Sequence, residues 1–406
     1  MSRVETTTNF RDSGGVDLGK KLITKDYLIS VYPSIGEQIG IPPELWTWGY
    51  AGFGQLGDNT TTSKSTPVTT LSGGSNWKQV SAGRNHIAAI KTDGTLWTWG
   101  HGTYGQLGDT TATNKSTPVT TFVGGTNWKQ VSSSYNHCAA IKTDGTLWTW
   151  GRGDSGQLGN DISFDNKSTP VTTFAGGTNW KQVSSGSHHT VAIKTDGTLW
   201  TWGSGGYGRL GDNTVTDKKT PVTTFAGGTN WKQVSAGYRH SAAIKTDGTL
   251  WTWGRGTLGQ LGDNTVTDKS TPVTTFAGGT NWKQVSTGGA FGGGHCAAIK
   301  TDGTLWTWGR GTYGQLGDNT TTEKSTPVTT FAGGTNWKQV SSGRSHCAAI
   351  KTDGTLWTWG QGGSGRLGDN TTTNKSTPVT TFAGGTNWKQ VIASGNHCAA
   401  IKSVDF

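Results

Sequence analysis

Histidine, the side chain used most often for acid–base catalysis and metal binding, recurs at one fixed place in this chain. The seven copies are His86, His137, His189, His240, His295, His346 and His397. A metal site needs ligands that converge to about 2 Å from one ion, whereas a sevenfold arrangement holds these side chains farther apart. We therefore expect no metal site, and we expect each histidine to hydrogen-bond to the backbone of a neighbouring loop.

Four cysteines directly follow four of these histidines: Cys138, Cys296, Cys347 and Cys398. Ile87, Thr190 and Ser241 occupy the same slot in the other copies. Equivalent positions in different copies lie too far apart to pair, so we expect reduced, small core residues rather than disulfides. No Ser/His/Asp or Cys/His set exists apart from the recurring pattern itself. The sequence therefore predicts no catalytic triad and no enzyme.

Two further patterns resemble ligand-binding motifs. Gly100–Gly105 fits the dinucleotide fingerprint GxGxxG, but that fingerprint requires a following helix, and GQLGDNTTT has no helical pattern. We expect tight turns and no cofactor. A repeated Gly-Asp-Asn supplies only one carboxylate per loop, too few for calcium, so we expect these residues to form Asx turns. They are Asp58, Asp212, Asp263, Asp318 and Asp369.

These residues all belong to a unit of roughly fifty residues that is written seven times. The first tryptophan of WTW falls at Trp46, Trp97, Trp148, Trp200, Trp251, Trp306 and Trp357. The tryptophan of NWKQV falls at Trp77, Trp128, Trp180, Trp231, Trp282, Trp337 and Trp388. The second tryptophan of each WTW supplies the remaining seven, so all 21 tryptophans belong to WTW or NWKQV. A fixed period of this size indicates a propeller or a solenoid.

Each unit has the pattern of four short strands. HCAAIK and TLWTWG flank a Thr-Asp-Gly-Thr hairpin turn, and TPVTTF and NWKQVS supply two more strands. The chain enters the repeat at Leu45–Gly49 and leaves it at His397–Lys402, so each end holds the half-hairpin that the other lacks. We predict an all-β, seven-bladed β-propeller of four-stranded blades over residues 45–406. Strands from both ends of the repeat close the ring, and residues 1–44 form a short N-terminal arm.

The combination of WGxGxxGQLG and HxxAIKxDGxLWxWG resembles the repeat of the regulator-of-chromosome-condensation family, from Leu45 to about Lys402. The resemblance implies a seven-bladed β-propeller. That fold hosts nucleotide exchange factors, chromatin binders and interaction modules, so it does not by itself define a function. The exchange activity depends on loop residues outside the repeat consensus, and nothing in this chain matches them.

The net charge of +10 comes mostly from lysines in KSTP, WKQ and IKTDG, which recur evenly around the molecule. Such an even distribution is typical of a solubilising surface rather than of a nucleic-acid footprint. We therefore do not expect nucleic acid as a partner. No stretch reaches the length of a membrane span, so we expect no membrane insertion.

The seven copies differ from one another mainly in two short windows. One follows WTWG and the other precedes the repeated histidine. Because the strands that bear them pair as a hairpin, both windows emerge at one end of each blade and together form one variable face. Aromatic and arginine side chains suit the recognition of glycans, acidic polymers or protein; relaxed drift in permissive loops is the alternative. The residues predicted to bind a ligand are Tyr50, Phe53, Tyr104, Tyr135, Arg152, Tyr207, Tyr238, Arg255, Phe291, Arg310, Tyr313 and Arg344.

The arm contains TTNFRDSGGVDLGKKLITKDYLISVYP, which resembles the leading segment of structural proteins of tailed viruses that infect marine bacteria. The resemblance implies a virion protein of the tail, fibre or capsid surface. The arm would anchor to virion proteins, and the variable face would bind a host-surface glycan or protein, or a neighbouring virion protein. The alternative is a cytoplasmic propeller that serves as a protein-interaction or chromatin/DNA-binding scaffold.

Overall fold

The computed structural model describes residues 9–11, 17–20 and 43–403, apart from 72–74, 163 and 290–292. Within these residues the strands form seven antiparallel sheets of four strands each, and Asn9–Arg11 pairs separately with Asp17–Lys20. Neighbouring sheets pack through their inner strands and close a ring. The predicted all-β, seven-bladed propeller is confirmed. We number its blades I to VII from the sheet that begins at Trp77.

Every blade contributes one strand to each of four positions. The innermost strands are Trp77–Ala82, Trp128–Ser133, Trp180–Ser185, Trp231–Ala236, Trp282–Thr287, Trp337–Ser342 and Trp388–Ala393. The second strands are His86–Lys91, His137–Lys142, His189–Lys194, His240–Lys245, His295–Lys300, His346–Lys351 and His397–Lys402. The third are Leu96–Gly100, Leu147–Gly151, Leu199–Gly203, Leu250–Gly254, Leu305–Gly309, Leu356–Gly360 and Glu44–Gly49. The outermost are Lys115–Thr120, Lys167–Thr172, Lys218–Thr223, Lys269–Thr274, Lys324–Thr329, Lys375–Thr380 and Lys64–Thr69, and two short 3-10 helices span Gly206–Gly208 and Gly363–Gly365.

Blade VII is assembled from both ends of the repeat, as the sequence predicted. Its third strand, Glu44–Gly49, pairs antiparallel with His397–Lys402, and Trp46 lies opposite Ala400. This pairing gives each strand a partner that it would lack in an open array. An unpaired strand edge is prone to pair with other chains, so closure removes that hazard.

A belt of glutamines joins the inner strands of neighbouring blades. The Gln79 amide donates to the Val131 carbonyl at 3.2 Å and accepts from the Val131 N–H at 3.0 Å. The same pair of bonds closes the ring, where Gln390 bonds both backbone groups of Val80 at 3.2 and 2.9 Å. The repeated Gln of WKQV therefore links blade to blade around the channel.

Tryptophan supplies the bulk of the core between blades. Trp99 is fully buried, its indole N–H donates to the Gln55 carbonyl at 3.0 Å, and its ring lies 6.0 Å from that of Trp77. The ammonium of Lys91 lies 4.5 Å from the centre of the Trp97 ring, a cation–π contact. The arrangement recurs in the other blades, which explains how a chain with 31% hydrophobic residues builds a core.

Loss of one glutamine from the belt is expected to destabilise the fold. In Gln339→Ala, the hydrogen bonds to the carbonyl and the N–H of Val391 disappear. Water reaches these two backbone groups only in part, so it does not fully replace the lost bonds. We expect a loss of about 1–3 kcal/mol in the free energy of unfolding, measured by urea denaturation. The exposed neighbour variant Lys338→Ala serves as control and should change it by less than about 0.5 kcal/mol. Equal effects from the two variants would contradict a structural role for the belt.

Candidate binding face

Hairpin pairing brings the two variable windows together at one end of every blade. His86 lies opposite Gly100, and the next residue, His101, donates its N–H to the Asn85 carbonyl at 2.8 Å. Gly100 has φ of +102°, and a Cβ there would lie 2.5 Å from the Asn85 oxygen, so this crossing requires glycine. The Thr-Asp-Gly-Thr turns lie at the opposite end. We call the end that carries both windows the variable face.

The centre of the variable face is a cavity of about 200 Å³ at the channel mouth. Serine side chains of the inner strands line it, among them Ser132, Ser184 and Ser235. The rings of Tyr135 and Tyr238 lie 6.0 Å apart at its rim. The mouth is therefore polar inside and aromatic at its edge.

Tyr238, one of the residues predicted to bind a ligand, is not accessible on the surface of this face. It is 5% exposed, because it packs inside the channel mouth against Tyr135 rather than projecting from the face. Tyr135 itself is half-buried, since the guanidinium of Arg84 stacks 4.4 Å from its ring centre and also bonds its hydroxyl.

An aromatic row follows the rim over blades VII, I and II. The ring centres of Tyr50 and Phe53 lie 6.2 Å apart, those of Phe53 and His101 4.6 Å, and those of His101 and Tyr104 6.0 Å. Arg152 ends the row, 5.1 Å from the Tyr104 ring. Four of the predicted ligand-binding residues thus form one continuous strip, which also includes His101. The four are Tyr50, Phe53, Tyr104 and Arg152.

Arginines surround Tyr207, where blades III and IV meet. Their guanidinium carbons lie 4.8 Å (Arg239), 5.5 Å (Arg255) and 5.6 Å (Arg209) from its ring centre. Arg239 also donates to the Tyr207 hydroxyl at 3.2 Å. Three positive charges around one exposed ring make this the most cationic part of the aromatic rim described here. Farther round the ring, Arg310 lies 5.4 Å from the Tyr313 ring.

Arginine is concentrated on this face far more than lysine is. The windows comprise the six residues after each WTWG and the residues between the inner and second strands. They hold eight of the ten arginines of the chain and a single carboxylate, Asp154. Asp154 is committed to Arg152 through an ion pair of 2.6 Å. The two windows therefore carry a net positive charge.

Two window loops differ from the rest because GQLG becomes GRLG, at Arg209 and Arg366. In most other blades the Gln accepts a backbone N–H of its own loop, as Gln106 does from Tyr104 at 2.8 Å. A guanidinium cannot accept, and Arg209 instead donates from Nε to the Gly206 carbonyl at 2.8 Å. Tyr207 accordingly adopts φ of +65° and becomes exposed.

The loop of blade VI repeats this change. Arg366 donates to the Gly363 carbonyl at 2.8 Å, and Ser364 has φ of +63°. Sequence reasoning missed both arginines, although the replacement of Gln by Arg in two of the seven copies is visible in the sequence.

The repeated histidines are structural, but their partners differ from the prediction. Six of the seven bond a side chain of the next blade rather than loop backbone: for example, His346 Nε2 lies 3.2 Å from Cys398 Sγ, and His137 Nε2 lies 3.0 Å from Thr190 Oγ1. The exception is His397, whose ring nitrogens have no partner among the described residues. Register explains this, because the residue after each histidine points across the blade interface. Burial lowers the pKa of His137 to about 3, so it stays neutral at physiological pH.

The cysteines are free and buried, as predicted. Burial raises the pKa of the Cys138 thiol to about 12, which suppresses the reactive thiolate. Within the described residues, no group of three or more His, Cys, Asp or Glu side chains could hold a metal ion. The same residues contain no helix that is long and apolar enough to cross a membrane.

The repeated aspartates form Asx turns, as the sequence predicted. Asp318 Oδ1 accepts from the Thr320 N–H at 3.1 Å and from its hydroxyl at 2.8 Å. Its second oxygen lies 3.6 Å from the ammonium of Lys324. Both carboxylate oxygens thus interact with groups of the same loop region.

Of the twelve predicted ligand-binding residues, eleven lie in the described part of the variable face. Phe291 lies outside the described residues. Tyr207 is exposed, Tyr238 is buried, and the others are half-buried. Half-burial with rings and guanidiniums in mutual contact pre-organises these side chains, which reduces the entropy lost when a ligand binds.

Fold and surface together define a closed propeller with a uniform face and a variable face that is rich in arginine and aromatic side chains. The RCC1-like domain model matches residues 43–291, and the Regulator of chromosome condensation (RCC1) repeat matches residues 302–350 and 353–401. The chain belongs to the RCC1 repeat family. Residues 1–42 lie outside both matches.

Relatives and solved structures agree with this family. The ultraviolet-B receptor UVR8 of Arabidopsis thaliana is 31% identical over 82% of this chain and 76% of its own length. The human E3 ubiquitin-protein ligase HERC2 is 28% identical over 81% of this chain, which spans 7% of that protein. Human WBSCR16 shares the fold at a TM-score of 0.78 and 20% identity, covering 90% of this chain and 100% of that one. Yeast RCC1 (Prp20), in its complex with Kap60, shares the fold at a TM-score of 0.76 and 18% identity, covering 90% of this chain and 90% of that one.

Proposed function

We propose that the protein is a non-enzymatic interaction scaffold whose variable face binds an acidic segment of a partner protein. The observation that carries the proposal is the charge of the two windows, with eight arginines, one paired aspartate and an aromatic rim. Arginine and tyrosine are the residues that contribute most often to protein-binding hot spots. Opposite charge on the partner gives specificity and speeds association.

The relatives support a scaffold. UVR8 is a receptor by its name, and yeast RCC1 has been crystallised with Kap60 and characterised with Gsp1p and histones. Because this chain spans only 7% of HERC2, the ligase activity of that protein is not transferred to it. Buried, neutral histidines and protonated cysteines support a non-enzymatic role.

The alternative predicted from the sequence, an interaction scaffold, is better supported than the virion component. The virion role and the host-surface ligand derive from the arm, and the family matches do not include residues 1–42. The relatives described above are cellular proteins of plants, animals and yeast. We therefore propose the scaffold, and the virion assignment stays a prediction from the sequence.

Binding of a synthetic peptide rich in glutamate and aspartate tests this function. We expect isothermal titration calorimetry to detect binding by the whole protein at low salt. The face variant Arg84→Gln with Arg310→Gln should weaken it roughly tenfold, since each rim charge contributes up to about 1 kcal/mol. The affinity should also fall as salt is added, because exposed charges are screened.

A matched control removes the same charge from the opposite mouth of the channel. Lys78 and Lys389 are exposed there, and Lys78→Gln with Lys389→Gln leaves the net charge equal to that of the face variant. We expect this control to bind within about twofold of the unmodified protein. If the control weakens binding as much as the face variant does, the interaction depends on overall charge and the proposed face is wrong.

A further inference from the structure

The two GRLG loops bury guanidiniums that form no ion pair with a described carboxylate. Arg209 and Arg366 are each 5% exposed, and neither takes part in any ion pair among the described residues. Burying an uncompensated charge is costly, so such groups are ordinarily paired. Five blades place a neutral glutamine at this position and fold the same way, so the propeller itself does not require arginine there.

Each of these arginines keeps N–H groups available for a ligand. Arg209 uses Nε to bind the Gly206 carbonyl, and its two terminal nitrogens have no acceptor among the described residues. Arg366 uses Nε for Gly363 and one terminal nitrogen for Gln361 Oε1 at 2.9 Å, which leaves the other nitrogen without a described acceptor. The bonded Nε fixes the plane of each guanidinium and so directs the remaining donors.

A second positive charge lies close to each buried arginine. After burial, the charge of Arg239 is the largest influence that lowers the pKa of Arg209, to about 10. Arg344 acts on Arg366 in the same way, and the pKa of Arg366 is also lowered to about 10. Arg344 precedes Ser345, whose carbonyl accepts the N–H of Gln361 at 2.9 Å, and the side chain of Gln361 in turn binds Arg366. Asp217 acts in the opposite sense on Arg209, but its Oδ1 accepts the Gly205 N–H at 2.9 Å. Two like charges held together, one of them buried, are relieved most directly by an anion.

A glycine lies three positions before each of these arginines. Gly206 and Gly363 stand where Thr103, Asp154, Thr257 and Thr312 stand in four other copies. A Cβ at Gly206 would lie 3.5 Å from Arg209 Nη2, an ordinary van der Waals contact. Both copies that carry Arg thus have Gly three positions before it, whereas only one of the five Gln copies does, at Gly52.

We propose that Arg209 with Arg239, and Arg366 with Arg344, form two subsites that each take an anionic oxygen group of the bound partner segment. This inference rests on the proposed function and gives it a ligand chemistry. A carboxylate of glutamate or aspartate fits the planar donor fork of a guanidinium, and a phosphoserine presents the same oxygens. The two subsites lie on different blades, III/IV and VI, so one acidic segment would be held at two points of the face.

The test uses substitutions that the protein already contains. Arg209→Gln and Arg366→Gln install the residue found at Gln55, Gln106, Gln157, Gln260 and Gln315, so both variants should fold with an unchanged near-UV circular dichroism spectrum. We expect each to weaken binding of the glutamate- and aspartate-rich peptide roughly tenfold, and the double variant to weaken it further. Lys78→Gln with Lys389→Gln is the equal-charge control for the double variant.

Two peptides distinguish the sources of the anion. The acidic peptide and a phosphoserine peptide are titrated in parallel, with a glutamine- and serine-substituted peptide as the neutral reference. A loss of affinity for either anionic peptide in the Arg→Gln variants supports the subsites, and the peptide affected identifies the anion. Unchanged affinity for both overturns them. If Arg84→Gln with Arg310→Gln still weakens binding in that case, the proposed function stands without the subsites.

Discussion

Acidification from about pH 7 to about pH 5 is expected to unfold the propeller. Seven fully buried histidines are neutral in the folded ring, where burial lowers the pKa of His86, His295 and others to about 3 and that of His240 to about 4. In the unfolded chain a histidine titrates near its ordinary value of about 6.5. Between these values the unfolded form binds protons and the folded form does not.

The sign of the effect follows from that difference. A lowered folded-state pKa confers stability that is complete above about pH 6.5 and is lost as the pH falls below it. At pH 5 each of the five histidines whose pKa is about 3 or 4 costs about 2 kcal/mol, or about 10 kcal/mol together, which is comparable with the whole stability of a typical domain, about 5–15 kcal/mol. Burial also lowers the pKa of His189 and His346 well below the ordinary value, which acts in the same direction. The turn aspartates do not offset this loss, since their hydrogen bonds from threonine lower the pKa, as at Asp93, and keep them ionised at pH 5.

Urea unfolding followed by tryptophan fluorescence over a pH series measures this effect. The slope of the unfolding free energy against pH should correspond to the uptake of several protons on unfolding. In His397→Leu that number should be smaller by about one proton. His397 suits this control because neither of its ring nitrogens has a partner among the described residues. In blade I the slot that supplies the partner of the other histidines is filled by Ile87, which cannot form a hydrogen bond through its side chain. A midpoint that stays constant from pH 7 to pH 5 would contradict a ring of buried neutral histidines.

Trp99→Ala is expected to lower the free energy of unfolding by about 3–5 kcal/mol because of the cavity it leaves. The unpaired Gln55 carbonyl should lower it by about 1–3 kcal/mol more. Trp99 is fully buried where blade I packs on the closing blade, against Leu45 and Ile401. A loss of this size would unfold many domains of ordinary stability. The measurement is the free energy of unfolding in urea at pH 7.

Two comparisons give this prediction its resolution. Trp97 lies two residues earlier and is only half-buried, with its indole N–H on the Thr95 hydroxyl at 2.9 Å, so Trp97→Ala should cost clearly less. Trp253 occupies the position equivalent to Trp99 at the interface of blades III and IV. Trp253→Ala should therefore lower the free energy of unfolding about as much as Trp99→Ala does. If Trp97→Ala were the more damaging of the first pair, the assignment of the inter-blade core would be wrong.

Most of the fold could be predicted because the same strand and turn pattern occurs in seven copies of the repeat. The Asp-Gly turn, the paired apolar runs and the complementary ends Leu45–Gly49 and His397–Lys402 are local signals, and they led to the blades and to the closure of the ring. The position of the two windows at one end of each blade followed from hairpin register alone.

The remaining features depend on contacts between blades, which one repeat does not encode. The histidine partners lie in the next blade, as His137 and Thr190 do, so the prediction of loop backbone was wrong. Tyr238 is buried because Tyr135 of another blade packs against it. The role of Arg209 emerged only when the loss of the Gln acceptor could be related to the altered backbone at Tyr207.

Hydrogen exchange of the unmodified protein with and without the glutamate- and aspartate-rich peptide tests most directly where the partner binds. We predict slower exchange in the windows at residues 83–85, 237–239 and 343–345, and in the loop 204–209, with the Thr-Asp-Gly-Thr turns at 92–95 and 246–249 unchanged. Protection confined to those turns, or to the lysine-bearing mouth at residues 77–79, would contradict the variable face as the binding surface.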